Sequence, residues 1–426
     1  MAKRINWLSQ GDANTSFFHI HAGHRRRRNF IGTMKDGDQL VTSHEEIENA
    51  LGKHYRSRFG VPANRTACLN LDFLGMNSMD LQILEDTFTE KEIWEALKDM
   101  PKEKAPGPDG YITAFYLSCW NIIKNYLLET FNALYRLDGR ALENFNSAYL
   151  VLLPKKADAR EPADYRPISL VHSLAKNFSK VLASRLSRVL PSLVGSNQGA
   201  FMKGRSVRDN FKLVRETAKF LKRKKCPSVL LKLDIAKAFD TVAWQFLLEV
   251  LQKKGFGHRW RAWIALILSS SSSSILLNGV PGPKIWHARG LRQGDALSPM
   301  LFILVMDALN LLFVKAEEEG VLSLVHAQQF LPQRLSIYAD DVILFLKATE
   351  SDAVAVKEIL DIFSGASGLT CNWEKSSVSA LVCDSQSLTN LSNILNCKVA
   401  HLPITYLGLP LVHYTPEKLE RLIFKR

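Results

Sequence analysis

Two aspartates, Asp340 and Asp341, stand side by side in the stretch RLSIYADDVILFL, whose other residues from Arg334 to Leu346 read as buried β-structure. An unpaired carboxylate in a dry interior is costly or neutralises itself, so an adjacent pair calls for cations, a solvated edge, or both. Split into two short strands, Leu335 to Tyr338 and Val342 to Leu346, the stretch becomes a hairpin with the aspartates at its tip. A third acid, Asp234, ends a separate apolar run, SVLLKLD. Three carboxylates converging from adjacent strands suit two hard cations bound through oxygen, and the natural chemistry is two-metal phosphoryl transfer. Taken alone, an Asp-Asp pair is equally at home in a solvated turn or a helix cap, so its surroundings decide.

The surrounding pattern supplies elements able to position such a site. PSVLLKLDIAKAFDTVAWQFLLEVLQKKG reads as a strand to about Asp234, a turn, and a helix ending in lysines and Gly255. NSAYLVLLPKKA is a strand that delivers Lys155 and Lys156 past Pro154, and DYRPISLV is a second extended segment carrying Arg166. SKVLASRLSRVLPSLV is an amphipathic helix closed by Pro191, and NQGAFMKGRSVRDN is a glycine-punctuated basic loop with Lys203 and Arg205 as candidate nucleic-acid contacts. The six serines Ser269 to Ser274 form a helix-to-strand junction. GLRQGDALSPMLFILVMDALN is a glycine loop and then a helix, with Ser298 as its cap and Pro299 at its first position.

Upstream, EEIENALGKHYRSRF and TEKEIWEALKDM carry apolar residues at helical spacing, so residues 1–100 read as a helical extension. The turn-rich PKEKAPGPDG, Pro101 to Gly110, is a rigid loop and a domain boundary. The chain of 426 residues carries a net charge of +13 and a pI near 9.4, which favours a polyanionic partner, nucleic acid first. Arg25, Arg26, Arg27 and Arg28 are a candidate phosphate contact, with a solvated patch as the plain alternative. Six cysteines without a CxxC pair, and no secretory leader, fit a reducing intracellular compartment; a zinc site around Cys397 and His401 is disfavoured against ordinary packing. The longest apolar run, Met300 to Val314, contains Asp307 and is too short to span a bilayer, so no membrane partner is expected.

KLDIAKAFDTV, GLRQGDALSP and YADD, in this order, resemble the core blocks of reverse transcriptases, and the set is similar to the non-LTR, LINE-type retrotransposon branch. KAPGPDG, LLPKKADAREPADYRPISLV, NQGAFMKGRSVRDN, CNWEKS and YLGLPL extend the resemblance over roughly Lys102 to Leu411. INWLSQGDANTSFFH, near the start, resembles the segment that precedes the polymerase in plant elements of this kind.

The resemblance implies an α+β right-hand polymerase, with fingers at about 101–230, a palm at about 231–412 whose antiparallel sheet is backed by helices, and a truncated thumb from 413. It implies an RNA-directed DNA polymerase that adds dNTPs to a primer 3′-OH on an RNA template, with two Mg²⁺ ions and Mn²⁺ as a substitute. Asp234, Asp340 and Asp341, with the Ile235 carbonyl, match the metal ligands; Phe239 matches the residue that meets the ribose 2′-OH. Arg166 with Lys155 or Lys156 resembles the triphosphate grip, a task suited to a guanidinium fork and a point charge. Gln293 and Gly294 match the loop lying on the nucleotide, although Ala296 departs from the proline common there. Lys375 stands where the family has a lysine near the leaving pyrophosphate. Tyr406, Leu407 and Gly408 resemble the hairpin that supports the primer end. A nuclear location is expected from the same resemblance, with a cytoplasmic one as the alternative. The short segment after Leu411, and no endonuclease block upstream, leave a second reading: a catalytically inactive, nucleic-acid-binding remnant of such an element.

Overall fold

The computed structural model describes residues 29–138, 142–326 and 334–411, together with positions 20, 23 and 24. Arg25 to Arg28 and the segment after Leu411 lie outside the described residues. Strands β1 (Met34–Asp36) and β2 (Gln39–Val41) form a hairpin, so the upstream region holds β-structure besides helices. Helix His44–Phe59 follows, opened by a capping box in which Ser43 Oγ accepts from Glu46 N and the Glu46 carboxylate accepts from Ser43 N. Its residues Ile47, Leu51, Tyr55 and Phe59, four apart, make one buried stripe.

Further along come β3 (Ser147–Pro154), β4 (Tyr165–Val171), β5 (Ser228–Asp234), β6 (Ser272–Leu277), β7 (Val280–Trp286), β8 (Leu335–Tyr338), β9 (Asp341–Lys347), β10 (Ser377–Val382) and β11 (Lys398–Val399). A last hairpin joins β12 (Ile404–Tyr406) to β13 (Leu409–Leu411). A four-stranded sheet runs in the order β4-β3-β6-β7, and a five-stranded sheet runs β11-β10-β5-β9-β8. Strand β3 alternates buried and half-buried side chains, as a strand covered on one face should. Strands β5 and β9 are buried nearly throughout, which their unbroken apolar runs VLL and VILFL require of central strands covered on both faces. The stripe of helix His44–Phe59 lies against Leu150, Leu152, Ile275 and Ile285 of the four-stranded sheet.

Helices Ser173–Leu193, Trp244–Lys253, Ser298–Glu318 and Glu350–Ser367 share one large core with the inner face of the five-stranded sheet. Helix Ser298–Glu318 has 21 residues, longer than its apolar run, and its length and composition alone would allow it to cross a membrane. Leu301 to Leu309 are nevertheless buried in the protein core, and Asp307 among them pairs with Lys254 at 2.6 Å. Two helix boundaries differ from the sequence expectation. Pro191 lies inside its helix, which continues to Leu193 because a proline in the last turn forfeits one hydrogen bond while Leu190 and Leu193 stay in the core. Leu297 is the N-cap of the later helix; Ser298, whose hydroxyl donates to Asp295 Oδ2 at 3.3 Å, is already helical. Cys226 and Cys397 are buried among apolar side chains.

Candidate active site

Strand β5 ends on Asp234, and in its antiparallel pairing with β9 Asp234 lies directly opposite Asp341. Directly opposed residues project from the same face, so the two carboxylates share one face at one end of the sheet. Tyr338 pairs with Asp341 across the β8–β9 hairpin, which leaves Ala339 and Asp340 as the turn. Ala339 takes a left-handed backbone at φ 56°, a conformation that costs a non-glycine residue about 1–2 kcal/mol. The turn is held from outside: Gln198 Oε1 accepts from Ala339 N at 3.3 Å and from Ala200 N at 2.9 Å. Gly199 N donates to Ile337 O, and Ile337 N donates to Asn197 O, both at 3.0 Å. The NQG segment therefore lies along the free side of β8, joined to it by a single parallel bridge between Gln198 and Ile337.

Gly199 is required for space. A Cβ there would lie 1.7 Å from Asn210 Oδ1, and Asn210 Nδ2 is committed to Asn197 O and Ile337 O at 3.2 and 2.9 Å. Gly199→Ala is expected to destabilise the protein by about 1–3 kcal/mol and to loosen the turn carrying Asp340. Urea unfolding measures the first effect; a loss under 0.5 kcal/mol, about the size of a surface change, would show that Asn210 yields freely.

The loop after helix Glu350–Ser367 embraces Asp234 from the other side. Ser376 Oγ accepts from Asp234 N at 3.1 Å, Asn372 N donates to Asp234 O at 2.7 Å, and Ala236 N donates to Thr370 O at 2.8 Å. Asp340 is exposed at the turn, yet partial desolvation by the packed residues around it raises its carboxyl above the usual range, and the charge of Asp234 adds to it. Asp341 is raised by burial, then by Asp340 and Asp234, against the opposing pull of Lys232. Among the described residues no three His, Cys, Asp or Glu side chains are gathered into a formed coordination shell. The acids make a crowded edge of like charge with hard oxygen donors, and a divalent cation is the partner that such a set fits.

Beside this edge opens a cleft of about 440 Å³, walled by Lys155, Arg166, Ile235, Phe239, Gln293, Gly294 and Asp340. Lys155 and Lys156 part ways at the end of β3. Lys155 lines the cleft and donates to Ala163 O at 2.7 Å, whereas Lys156 forms a surface ion pair with Asp164 at 3.0 Å. The Phe239 ring stacks on Phe302 with centroids 4.7 Å apart, so one face packs on the core while the residue borders the cleft. Gln293 O accepts from Ser169 N of β4 at 3.4 Å, and Gly294 follows at φ 99°, a backbone that excludes most side chains. Lys375 is exposed in the turn beyond Asn372 and outside the cleft walls, but its charge reaches Lys155.

Several residues in or beneath the cleft escaped the sequence reading. Arg58, from helix His44–Phe59, and Lys237, left-handed at φ 50°, both line it. Asp240, six positions after Asp234, is buried beneath, where it pairs with Arg58 and accepts from Gln293 Nε2 at 3.1 Å. The AFD of KAFDTV held a signal in Asp240, an acid facing inward from a short turn; nothing in HYRSRF singled out Arg58. Lys155 and Lys237 are both lowered, first by burial and then by Arg58. Cations crowded this way favour a polyanionic ligand.

The other candidates lie elsewhere. Lys203 borders a groove with Glu92, Glu95 and Asp99. The Arg205 guanidinium is occupied by the carbonyls of Gly195, at 2.9 Å, and Gln198. Tyr406 is fully buried with its hydroxyl 3.3 Å from Ser336 Oγ, while Leu407 and Gly408, at φ 49° and 78°, form the tip of the β12–β13 hairpin.

Residues 153–411 match the family model described as reverse transcriptase (RNA-dependent DNA polymerase). The chain is 30% identical over 383 residues to the transposon TX1 uncharacterized 149 kDa protein of Xenopus laevis, covering 88% of this chain and 28% of that protein. It is 29% identical over 258 residues to the Pol polyprotein of type-1 retrotransposable element R2 of Nasonia vitripennis, covering 61% and 24%. Against the probable RNA-directed DNA polymerase from transposon BS of Drosophila melanogaster it is 26% identical over 273 residues, covering 62% and 30%. The chain thus spans 24–30% of the length of these relatives. They are frog and insect elements, and the plant-like side of the resemblance is not borne out.

Proposed function

Because this chain belongs to the reverse transcriptase family, we propose that it is the RNA-directed DNA polymerase of a non-LTR retrotransposon, with the five-stranded sheet as palm and β3–β4 as part of the fingers. The observation that carries this reading is the register setting Asp234 against Asp341, with Asp340 at the mouth of a cationic cleft. Asp234, Asp340 and Asp341, with the Ile235 carbonyl, would hold divalent ions, two Mg²⁺ or Mn²⁺, whose charge assists attack of a primer 3′-OH on the α-phosphate of a dNTP. Lys155 and Arg166 neutralise the triphosphate, and the left-handed Gly294 lets the backbone come close to the base pair being formed. Lys375, exposed outside the cleft walls but with its charge reaching Lys155, is the candidate proton donor to the departing pyrophosphate. Template and primer bind through the basic surface, with Leu407 and Gly408 at the primer end.

Primer extension on poly(rA)/oligo(dT) with Mg²⁺ tests the proposal, and template-dependent incorporation of dTTP is the expected result. A chain that binds the duplex but incorporates nothing at any salt concentration supports instead a nucleic-acid-binding remnant.

Phe239 offers a sharper test of sugar recognition. Shortening it to Val leaves Phe302 to hold the core and removes the bulk facing the 2′ position, so Phe239→Val is expected to cut dNTP-over-rNTP preference at least tenfold, or about 1.4 kcal/mol. Single-nucleotide extension with paired dNTP and rNTP measures this. An unchanged preference would make Phe239 a packing residue.

A further inference from the structure

The region matching the family model begins at residue 153, yet the cleft is walled in part by Arg58, a residue of helix His44–Phe59. The helix is docked by its own last turn: Arg289 Nε donates to Arg58 O at 2.8 Å, Arg289 donates again to Ser57 O at 2.7 Å, and Ala288 N donates to Phe59 O at 2.7 Å. A guanidinium at a helix C-terminus also meets the negative end of the helix dipole. Residues 288 and 289 open the same loop that ends in Gln293 and Gly294. That loop is in turn fixed to the short turn after β5, since Gly290 N donates to Val242 O at 2.8 Å and Leu291 N donates to Phe239 O at 2.6 Å.

The side chain of Arg58 completes the connection. It is 8% exposed, lies 5.9 and 5.8 Å from the ring centroids of Tyr55 and Phe59, and pairs with Asp240, which is 2% exposed. The other Asp240 oxygen accepts from Gln293 Nε2. Among the described residues Arg58 Nε has no hydrogen-bond partner. A buried arginine spent on one carboxylate, with that carboxylate spent on a glutamine bordering the ligand space, is a poor use of charge for stability alone, because desolvation offsets most of the attraction. It is a good way to fix an orientation.

We infer that Arg58 is a positioning residue of the nucleotide site: acting through Asp240, it holds the Gln293 side chain at the cleft wall, which makes the helix upstream of the family segment a working part of the site. The inference rests on the polymerase reading only for the identity of the ligand as a dNTP.

Binding of the fluorescent analogue mant-dTTP to the full chain with Mg²⁺ and template–primer, read beside primer extension and melting temperature, tests it. Arg58→Gln is expected to weaken mant-dTTP binding about tenfold, with Arg58→Lys in between because the charge remains and the fork is lost. Gln293→Ala should give a similar loss, and adding Arg58→Gln to it should cost nothing further, since the two act along one line of contacts. Should Arg58→Gln alone fail to fold, the pair R58Q/D240N leaves no lone buried charge and is read in its place, with the same tenfold loss expected. Nucleotide affinity within twofold of wild type in these variants, or an equal loss from Arg58→Gln with and without Gln293, overturns the inference. A wild-type chain that binds mant-dTTP but never extends a primer overturns the polymerase reading alone; one that binds no nucleotide overturns both.

Discussion

Asp340→Asn is expected to reduce primer extension by roughly a thousandfold or more while the protein melts no lower than wild type. Asparagine keeps the shape of the side chain and removes the charge. Asp340 sits in a turn whose backbone is held by Gln198, so the fold does not depend on its carboxylate. The sign of the stability effect follows from the direction of its shift. Partial desolvation and Asp234 raise the folded-state pKa of Asp340, so the ionised group works against folding at neutral pH, and stability is regained as pH falls through the folded pKa. Removing the charge relieves that repulsion, and the melting temperature measured without divalent ions should hold or rise. Asp341→Asn should behave likewise, its carboxyl being raised by burial, Asp340 and Asp234. Extension within tenfold of wild type, or a clear loss of melting temperature, would make the acidic edge a structural feature.

The largest stability loss is expected from a site remote from the chemistry. Asp307 accepts from Lys254 Nζ at 2.6 Å and from Gly195 N at 2.9 Å, and Lys254 also donates to Leu193 O at 2.5 Å. Both side chains are nearly inaccessible, 3% for Lys254 and 7% for Asp307. Asp307→Leu strands a buried ammonium and should cost about 3–5 kcal/mol, read from urea unfolding. Adding Lys254→Met removes the stranded charge and should restore most of the loss, a non-additivity that mere damage to packing would not show. A single-variant cost below about 1 kcal/mol, the scale of an exposed ion pair, would mean that Lys254 reaches water.

What could be read from the sequence was what depends on short spacing. The end of an apolar run placed Asp234, and the strand–DD–strand pattern placed the turn of Asp340, because both follow from short apolar runs bounded by polar residues within one segment. The pairing of the two segments had no such signal; only the chemistry of three acids suggested it. Lys155 and Lys156 could not be told apart, since which of them enters the cleft depends on the geometry at the end of β3 beside Asp164. Arg205 looked like a surface cation because its acceptors are backbone carbonyls, which every sequence has. Arg58 was hidden for another reason: its partner lies 182 positions away, and an arginine in a helix otherwise made of core and surface residues carries no mark of burial.

The placing of β5 at the middle of its sheet has a consequence for how the chain comes to its native state. Its neighbours are drawn from far downstream, β9 from residue 341 and β10 from residue 377, and both pair with it antiparallel. A growing chain that has already made Asp234 therefore holds a strand with a buried apolar run, Val229 to Leu231, and two open edges until more than a hundred further residues have emerged. Contacts of such sequence separation are slow to close, and an unpaired hydrophobic strand is the kind of segment that pairs with the wrong neighbour. Synthesis and folding are thus coupled at this strand, and the demand for chaperone protection should fall mainly between the emergence of β5 and that of β10.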